Sequence, residues 1–262
     1  MPKEGNCCIC GIYGPLSFEH VPPRSAFNDK LVVKARFDDV VGLGPDAIIK
    51  GKAQQQGAGD YTLCPRCNNN TGSWYGKDFV DWCYQGYEIL TRTRGQPSII
   101  YLNYLFPLRI VKQIITMFFS INGSGFADAN PELVKFVLNR DFRYISPKYR
   151  LFVYFSIGRL ARSSGVSALV NINTQKTCIF SEMNYFPYGY VLTLNSHPPD
   201  RRLIEISHFA RFGYKEFAIM ELRLPVLPTY LYFPGDYRTK EQILADRLKA
   251  EKTVNPEEFS KK

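Results

Sequence analysis

Two cysteine pairs and a glutamate-histidine dipeptide supply most of the side chains near the start of this chain that could do chemistry. Each pair, Cys7-x-x-Cys10 and Cys64-x-x-Cys67, has two residues between its thiols, which lets both sulfurs face one tetrahedral zinc ion. The dipeptide Glu19-His20 lies between the pairs and offers a carboxylate and an imidazole. The sequence therefore predicts two kinds of site: four thiolates that hold a structural metal, and a separate base with oxygen ligands for a second metal.

The other cysteines give a weaker signal. Cys8 is a competing thiol beside the first pair, but the Cys7–Cys10 spacing fits a zinc knuckle better. Cys83 and Cys178 stand alone and are predicted to lie in the core. Seven cysteines without an apolar leader segment favour a reducing compartment, where paired cysteines bind metal more often than they form disulfides. We therefore expect a cytoplasmic protein, and no apolar run is long enough to cross a membrane.

The positive charge is concentrated in the C-terminal two thirds of the chain. The net charge is +9, but residues 1–90 have nine Lys/Arg against ten Asp/Glu, which leaves a balance of +10 for residues 91–262. A basic balance favours a polyanionic partner, although many domains are mildly basic without one. If the partner is nucleic acid, the C-terminal part is expected to supply phosphate contacts.

The sequence predicts an α+β fold with two parts, residues 1–92 and residues 93–262. In the first part, Gly42 to Gly59 is predicted to be a long surface loop, and Trp74 to Leu90 has helical apolar spacing. In the second part, helices are predicted first, and β-rich runs follow from residue 150 onward, as in an antiparallel sheet. The predicted helices are Leu105–Phe119, Pro131–Asn139 and Thr239–Lys252; the predicted strands are Leu151–Ile157, Ser167–Ile172, Thr177–Phe180, Tyr188–Leu194 and Phe217–Leu222.

The order of the N-terminal motifs resembles a known family. Cys-x-x-Cys-Gly is followed by Glu-His-x-x-Pro and then by Cys-x-x-Cys-Asn, an order similar to that of the HNH endonucleases, which have a ββα-metal active site. The resemblance covers roughly residues 5–85. It implies a zinc-stapled ββα-metal module, followed here by a mixed helical and antiparallel-sheet domain of unknown role in nucleic-acid binding, sensing or assembly.

The resemblance also implies roles for individual residues. His20 corresponds to the general base, and Glu19 and Asn68 correspond to ligands of a catalytic divalent ion, Mg or Mn. The four cysteines correspond to ligands of a structural zinc ion. Arg24 and Arg66 are near enough in sequence to contact the scissile phosphate. The expected activity is hydrolysis of nucleic-acid phosphodiester bonds, most simply in DNA, with antiphage defence as the expected setting by analogy with other HNH proteins.

One position departs from the family pattern. The middle Asn of the family, which orients the base, corresponds to a stretch around Asp60, and the segment between His20 and Cys64 is longer than in compact members. Either Asp60 or a backbone carbonyl is expected to orient His20 instead.

Two rival interpretations remain open at the level of sequence. The first is a non-catalytic zinc module that binds nucleic acid or protein, because the middle Asn is absent and few basic residues lie near the motifs. The second is a nuclease that cuts only after an effector ligand or a protein partner binds.

Overall fold

The computed structural model describes residues 3–41, 43, 47–157, 160–171 and 176–253. Gly42 and residues 44–46 of the predicted loop, and Ile172 at the end of a predicted strand, lie outside this range. The described part is a mixture of helices and largely antiparallel strands, so the α+β prediction is confirmed.

The first part of the chain contains a strand–strand–helix unit. Strands β1 (Glu4–Asn6) and β2 (Tyr13–Pro15) form a hairpin, whose connecting turn contains the first cysteine pair. Strands β3 (Ser17–His20) and β6 (Gly59–Leu63) pair antiparallel, and a helix follows directly after β6. This order places Glu19 and His20 on strand β3 of the β3–β6 pair, and the second cysteine pair at the start of the helix that follows β6.

The stretch Gly42 to Gly59, predicted to be one long surface loop, contains a strand. Strands β4 (Val32–Lys34) and β5 (Lys52–Gln54) pair antiparallel, with the short helix α1 (Phe37–Val40) between them. Residues 52–54 have little strand propensity, and their pairing partner lies about twenty residues upstream in the chain. A local reading of the Gly- and Gln-rich stretch therefore misses this hairpin.

One nearly continuous helical segment follows β6. It consists of helix α2 (Pro65–Thr71), a π-helical turn (Gly72–Gly76) and helix α3 (Lys77–Arg92). The predicted helix of residues 74–90 is confirmed, and its apolar face is buried. Gly86 allows α3 to approach the C-terminal sheet closely, because a Cβ atom there would lie 2.5 Å from the ring of Tyr188.

The second part of the chain packs helices against an antiparallel sheet. The sheet has the strand order β12 (Ile204–Glu205), β8 (Tyr149–Ser156), β11 (Tyr188–Leu194), β10 (Lys176–Tyr185) and β9 (Arg162–Asn171). Strand β14 (Val226–Leu227) is parallel to β8, while β7 (Tyr101–Leu105) and β13 (Ala218–Leu222) form a separate pair. The predicted helices and strands are present, although residues 218–222 pair outside the main sheet. The helices of this part are α4 (Pro107–Asn122), α5 (Ser124–Ala129), α6 (Pro131–Leu138) and α7 (Lys240–Thr253).

One cluster of buried apolar side chains contains residues from both parts. Leu63 and Trp82 belong to the same cluster of buried side chains as Ile114 on α4 and Leu192 on β11. The division into residues 1–92 and 93–262 stays a prediction, but the two parts share this core. Among the described residues, no helix combines the length and apolarity needed to cross a membrane.

Candidate metal and catalytic site

The two cysteine pairs converge on one point. The sulfur atoms of Cys7, Cys10, Cys64 and Cys67 all lie within 4.8 Å of one another. Tetrahedral ligands at a zinc–sulfur distance of 2.3 Å are roughly 3.8 Å apart, and the Sγ atoms of Cys10 and Cys64 are 3.9 Å apart. The cluster could therefore hold a metal such as zinc.

Local structure preorganises the second pair. Cys64 is the N-cap residue of α2, its sulfur accepts a hydrogen bond from the Cys67 amide at 3.5 Å, and Pro65 occupies the first helical turn. Proline suits this position because its missing N–H has no partner in the first turn of a helix. The helix start thus directs both sulfurs of the pair toward the first pair.

The competing thiol is excluded from the cluster. Cys8 is buried, and its backbone amide donates to the Thr62 carbonyl at 2.9 Å, which fixes it against β6. Desolvation raises the pKa of Cys8 to about 11, so its thiol stays protonated. By contrast, a hydrogen bond from the Cys67 thiol lowers the pKa of Cys7 to about 4. A hydrogen bond between a thiol and a thiolate within the cluster therefore favours the negative charge that a cation requires.

His20, the last residue of β3, is held by a backbone carbonyl. Its Nε2 atom lies 2.9 Å from the carbonyl oxygen of Gln56, and its ring contacts the Phe18 ring edge-on at 5.0 Å between centroids. Because a carbonyl oxygen can only accept, Nε2 must carry the proton, which leaves the lone pair on Nδ1 free. The imidazole is therefore oriented in the tautomer that a general base needs.

The buried side chain of Asn28 fixes the loop that contains the Gln56 carbonyl. The Asn28 amide donates to the Pro22 carbonyl at 2.6 Å and to the Ala58 carbonyl at 2.7 Å, and its oxygen accepts from the Ala58 amide at 2.6 Å. Gly57 has a φ angle of +97°, and a Cβ atom there would lie 2.0 Å from the Asn28 carbonyl oxygen. Sequence reasoning missed Asn28, because its role depends on a segment thirty residues downstream.

Glu19 lies in the interior between the β3–β6 strand pair and helix α4. Its Oε2 atom accepts hydrogen bonds from the hydroxyls of Ser120 and Thr62, the latter at 3.1 Å. Its other carboxylate oxygen has no hydrogen-bond donor among the described residues. Burial raises the pKa of Glu19 to about 7, and the two hydroxyl groups oppose that rise. A buried carboxylate with a free oxygen is a strong point of attraction for a cation.

Asn68 connects helix α2 to strand β3. Its amide nitrogen donates to the Ser17 hydroxyl at 3.0 Å and lies 3.5 Å from the Phe18 carbonyl. Because the nitrogen is engaged by β3, the amide oxygen remains available as a ligand. Helix α2 therefore holds Asn68 beside the strand that contains Glu19 and His20.

A cavity of about 460 Å³ brings together most of the residues predicted for the site. We call it the His20 cavity, and it lies between β3, the α2–α3 segment and helix α4. The π-helical turn contributes Gly72 and Gly76 to its wall, and π-helical turns are frequent at functional sites. The other lining residues are Phe18, Glu19, His20, Pro23, Arg24, Ser25, Asn68, Thr71, Lys77, Val80 and Gln113.

Two predicted residues lie elsewhere. Asp60 forms exposed ion pairs with Lys3 at 3.2 Å and Lys34 at 3.1 Å and makes no hydrogen bond to His20, whose Nε2 atom contacts a backbone carbonyl instead. Partial burial opposes the ionisation of Asp60, but hydrogen bonds from the Tyr61 amide and from both lysines lower its pKa to about 2. Arg66 is exposed on α2 and does not line the His20 cavity.

Among the cavity residues that were not predicted, two have side chains suited to binding phosphate or a metal ion. Lys77, at the start of α3, adds a positive charge to that of Arg24. Gln113, on α4, is 3% exposed, and its amide oxygen is buried without a hydrogen-bond partner. Gln113 lies in the middle of a long apolar helix, and a polar residue at a buried helical position is the signal that could have identified it.

The chain matches no family model, no curated protein and no solved structure.

Proposed function

We propose that this protein is a metal-dependent endonuclease of the HNH type that hydrolyses phosphodiester bonds in nucleic acid, with DNA as the first substrate to test. The observation that supports the proposal best is the orientation of His20. Its Nε2 atom is engaged by a carbonyl 2.9 Å away, and its side chain lines the same cavity as Glu19 and Asn68. The antiparallel β3–β6 pair followed by α2 is the order of elements in a ββα-metal site.

The chemistry assigned to His20 is activation of water. Phosphodiester hydrolysis needs a nucleophile near neutral pH, and imidazole is the side chain whose ordinary pKa suits this task. With Nε2 donating to the Gln56 carbonyl, Nδ1 accepts the proton of the attacking water. The carbonyl stabilises the imidazolium that forms, as the orienting group of a catalytic histidine does.

The residues around His20 fit a hard divalent cation. Such an ion takes oxygen ligands from carboxylates and amides, and when bound it would stabilise negative charge on the leaving oxygen. Glu19 has a carboxylate oxygen without a donor, and Asn68 has a free amide oxygen. The Gln113 amide oxygen is buried without a partner in the same cavity wall. These three side chains would hold Mg or Mn, while Arg24 and Lys77 would attract the phosphate.

The cysteine cluster has a separate role in this proposal. Four thiolates around one zinc ion leave no open position for substrate, so this ion would stabilise the fold and take no part in catalysis. It would hold the β1–β2 hairpin against the start of α2, because each element contributes one pair.

The alternative is a non-catalytic zinc module that binds nucleic acid or protein. The burial of Glu19 favours it, because a carboxylate that accepts two hydroxyl hydrogen bonds also serves as a structural contact. In that case His20 would be a partly exposed residue with one backbone contact and no chemical role.

A cleavage assay separates the two functions. The purified protein is incubated with supercoiled plasmid, linear duplex, single-stranded DNA and RNA, each with Mg or Mn, and the His20→Ala variant is compared with the parent. We expect loss of at least a hundredfold in rate for His20→Ala, since general-base catalysis contributes about 10²–10⁴-fold. The matched control is His197→Ala, because His197 lies outside the His20 cavity. Equal cleavage by parent and His20→Ala would exclude the proposed mechanism.

A role in antiphage defence belongs to the same proposal and rests on the family resemblance alone. Phage plating on cells that express the parent or the His20→Ala variant tests it directly. Fewer plaques with the parent than with the variant would support a defence function, and equal plating across a broad phage panel would contradict it.

A further inference from the structure

A second cleft lies on the C-terminal part of the chain, on the side of the α6–β8 connection. It has a volume of about 550 Å³ and is formed by residues 143–150 together with residues 205–211. We call it the arginine cleft and define it by Arg143, Tyr144, Arg150, Glu205, His208 and Arg211.

The charges in the arginine cleft do not balance. Arg150 and Glu205 form an ion pair at 2.6 Å and compensate each other. Arg143 and Arg211 are exposed, and neither has an acidic partner among the described residues. Desolvation lowers the pKa of His208, so it adds no lasting positive charge near pH 7. The nearby Glu132 is paired with Lys148 at 3.4 Å. Two unpaired guanidinium groups therefore remain.

The cleft also offers an aromatic surface. Tyr144 is 61% exposed although it lines the cleft, and its ring is accessible for stacking. Guanidinium groups and exposed aromatic rings are the combination by which proteins contact the phosphates and the bases of nucleic-acid strands.

Two residues close in sequence to the arginine cleft contact the helical segment that lines the His20 cavity. Tyr214, three residues after Arg211, donates its hydroxyl to the Trp74 carbonyl at 3.1 Å. The Arg140 guanidinium, three residues before Arg143, lies 5.7 Å from the Trp74 ring and 5.2 Å from the Tyr214 ring. Trp74 belongs to the π-helical turn whose glycines line the His20 cavity. The exposed Arg140 therefore lies next to the π-helical turn and is close in sequence to Arg143 of the arginine cleft.

We propose that the arginine cleft binds the phosphate backbone of the nucleic-acid strand whose scissile bond enters the His20 cavity. The proposal rests on the nuclease function and adds where the substrate is held. Arg143 and Arg211 contact phosphates, and Tyr144 contacts a sugar or base. Contacts to the backbone give affinity without sequence preference, because phosphates are the same in every sequence.

The test measures binding in the absence of cleavage. Fluorescence anisotropy follows binding of labelled duplex DNA, single-stranded DNA and duplex RNA to the His20→Ala protein over a range of salt concentrations. The test variant adds Arg143→Glu and Arg211→Glu. The control variant adds Arg201→Glu and Arg223→Glu, which change the net charge equally at exposed arginines outside the cleft. The thermal midpoint of each protein checks that it is folded.

The comparison uses whichever of the three nucleic acids the His20→Ala protein binds most tightly. At physiological salt, we expect the cleft variant to bind it on the order of tenfold more weakly than the control variant does. The slope of log affinity against log salt should fall by about two in magnitude, since each lost phosphate contact contributes about 0.9. Equal affinities and slopes for the two variants would overturn the proposal, as would the absence of measurable binding to all three nucleic acids. The binding measurement does not depend on cleavage. It therefore tests the arginine cleft even if the cleavage assay shows that the parent protein is inactive.

Discussion

The Ser120 hydroxyl on helix α4 donates a hydrogen bond to the Glu19 carboxylate on strand β3, across 101 residues of sequence. The Thr62 hydroxyl on β6 donates to the same carboxylate oxygen at 3.1 Å, and its oxygen also lies 3.1 Å from the Ser120 hydroxyl oxygen. Helix α4 therefore contributes directly to the site that the N-terminal motifs define. The candidate ion site therefore depends on both halves of the chain.

The Glu19→Gln variant should change how stability depends on pH. The pKa of Glu19 is raised to about 7, so between its ordinary value of 4.5 and pH 7 the folded protein binds more protons than the unfolded chain. The contribution of this group is therefore present at low pH and is lost as the pH rises through 7. Glu19→Gln has no such loss, so its free energy of unfolding should rise relative to the parent by up to about 3 kcal/mol between pH 4.5 and pH 8.

Urea unfolding at a series of pH values, without Mg or Mn, measures this difference. The control is Glu4→Gln, an exposed carboxylate whose removal should leave the pH dependence as in the parent. Parallel curves for the parent and Glu19→Gln would show that the carboxylate titrates normally and is not desolvated as its position indicates.

The cysteine cluster and the helix starts could be predicted from sequence because their signals are local. The spacing of two residues between the thiols of each pair, and a proline in the first turn of a helix, are features of a few neighbouring residues. A backbone carbonyl was one of the two groups expected to orient His20, but its identity as Gln56 could not be predicted, because the Asn28 hydrogen bonds and the paired β4–β5 segment place it there. Gln113 was missed for a similar reason, since it enters the site only through the packing of α4.

The Cys64→Ser variant should lose both the metal and much of the fold stability. Metal analysis of the purified parent is expected to give one zinc per chain, and a strong chelator should lower its thermal midpoint, because binding energy at a closed thiolate site is folding energy. The Cys64→Ser variant should bind less than one equivalent of zinc per chain. The matched control is Cys178→Ser, since Cys178 lies outside the cluster. Equal zinc content in both variants would contradict the assignment of the four ligands.

The Glu182→Gln variant tests the polar network in the C-terminal sheet. Glu182 is fully buried and accepts hydrogen bonds from Arg162 at 2.7 Å, from the Tyr237 hydroxyl at 3.0 Å and from the Gly235 amide at 2.8 Å. Removing its charge leaves the buried guanidinium uncompensated, which costs about 3–5 kcal/mol. Glu88→Gln removes an exposed ion pair and should cost less than about 1 kcal/mol. Similar unfolding free energies for the two variants would contradict this prediction.

The Gln113→Leu variant separates a ligand from a structural residue, because the two roles predict opposite changes in stability. The Gln113 amide oxygen is buried without a partner, and such a group costs about 1–3 kcal/mol in the absence of an ion. Leucine is of similar size, so the metal-free variant should be as stable as the parent or more stable. Its affinity for Mn, measured by calorimetry, should fall on the order of tenfold, which is the lower end of the loss seen when groups around a metal are removed. Met117→Leu, a conservative change one turn further along α4, should alter neither quantity. Lower stability with unchanged Mn affinity would mean that Gln113 only packs the core.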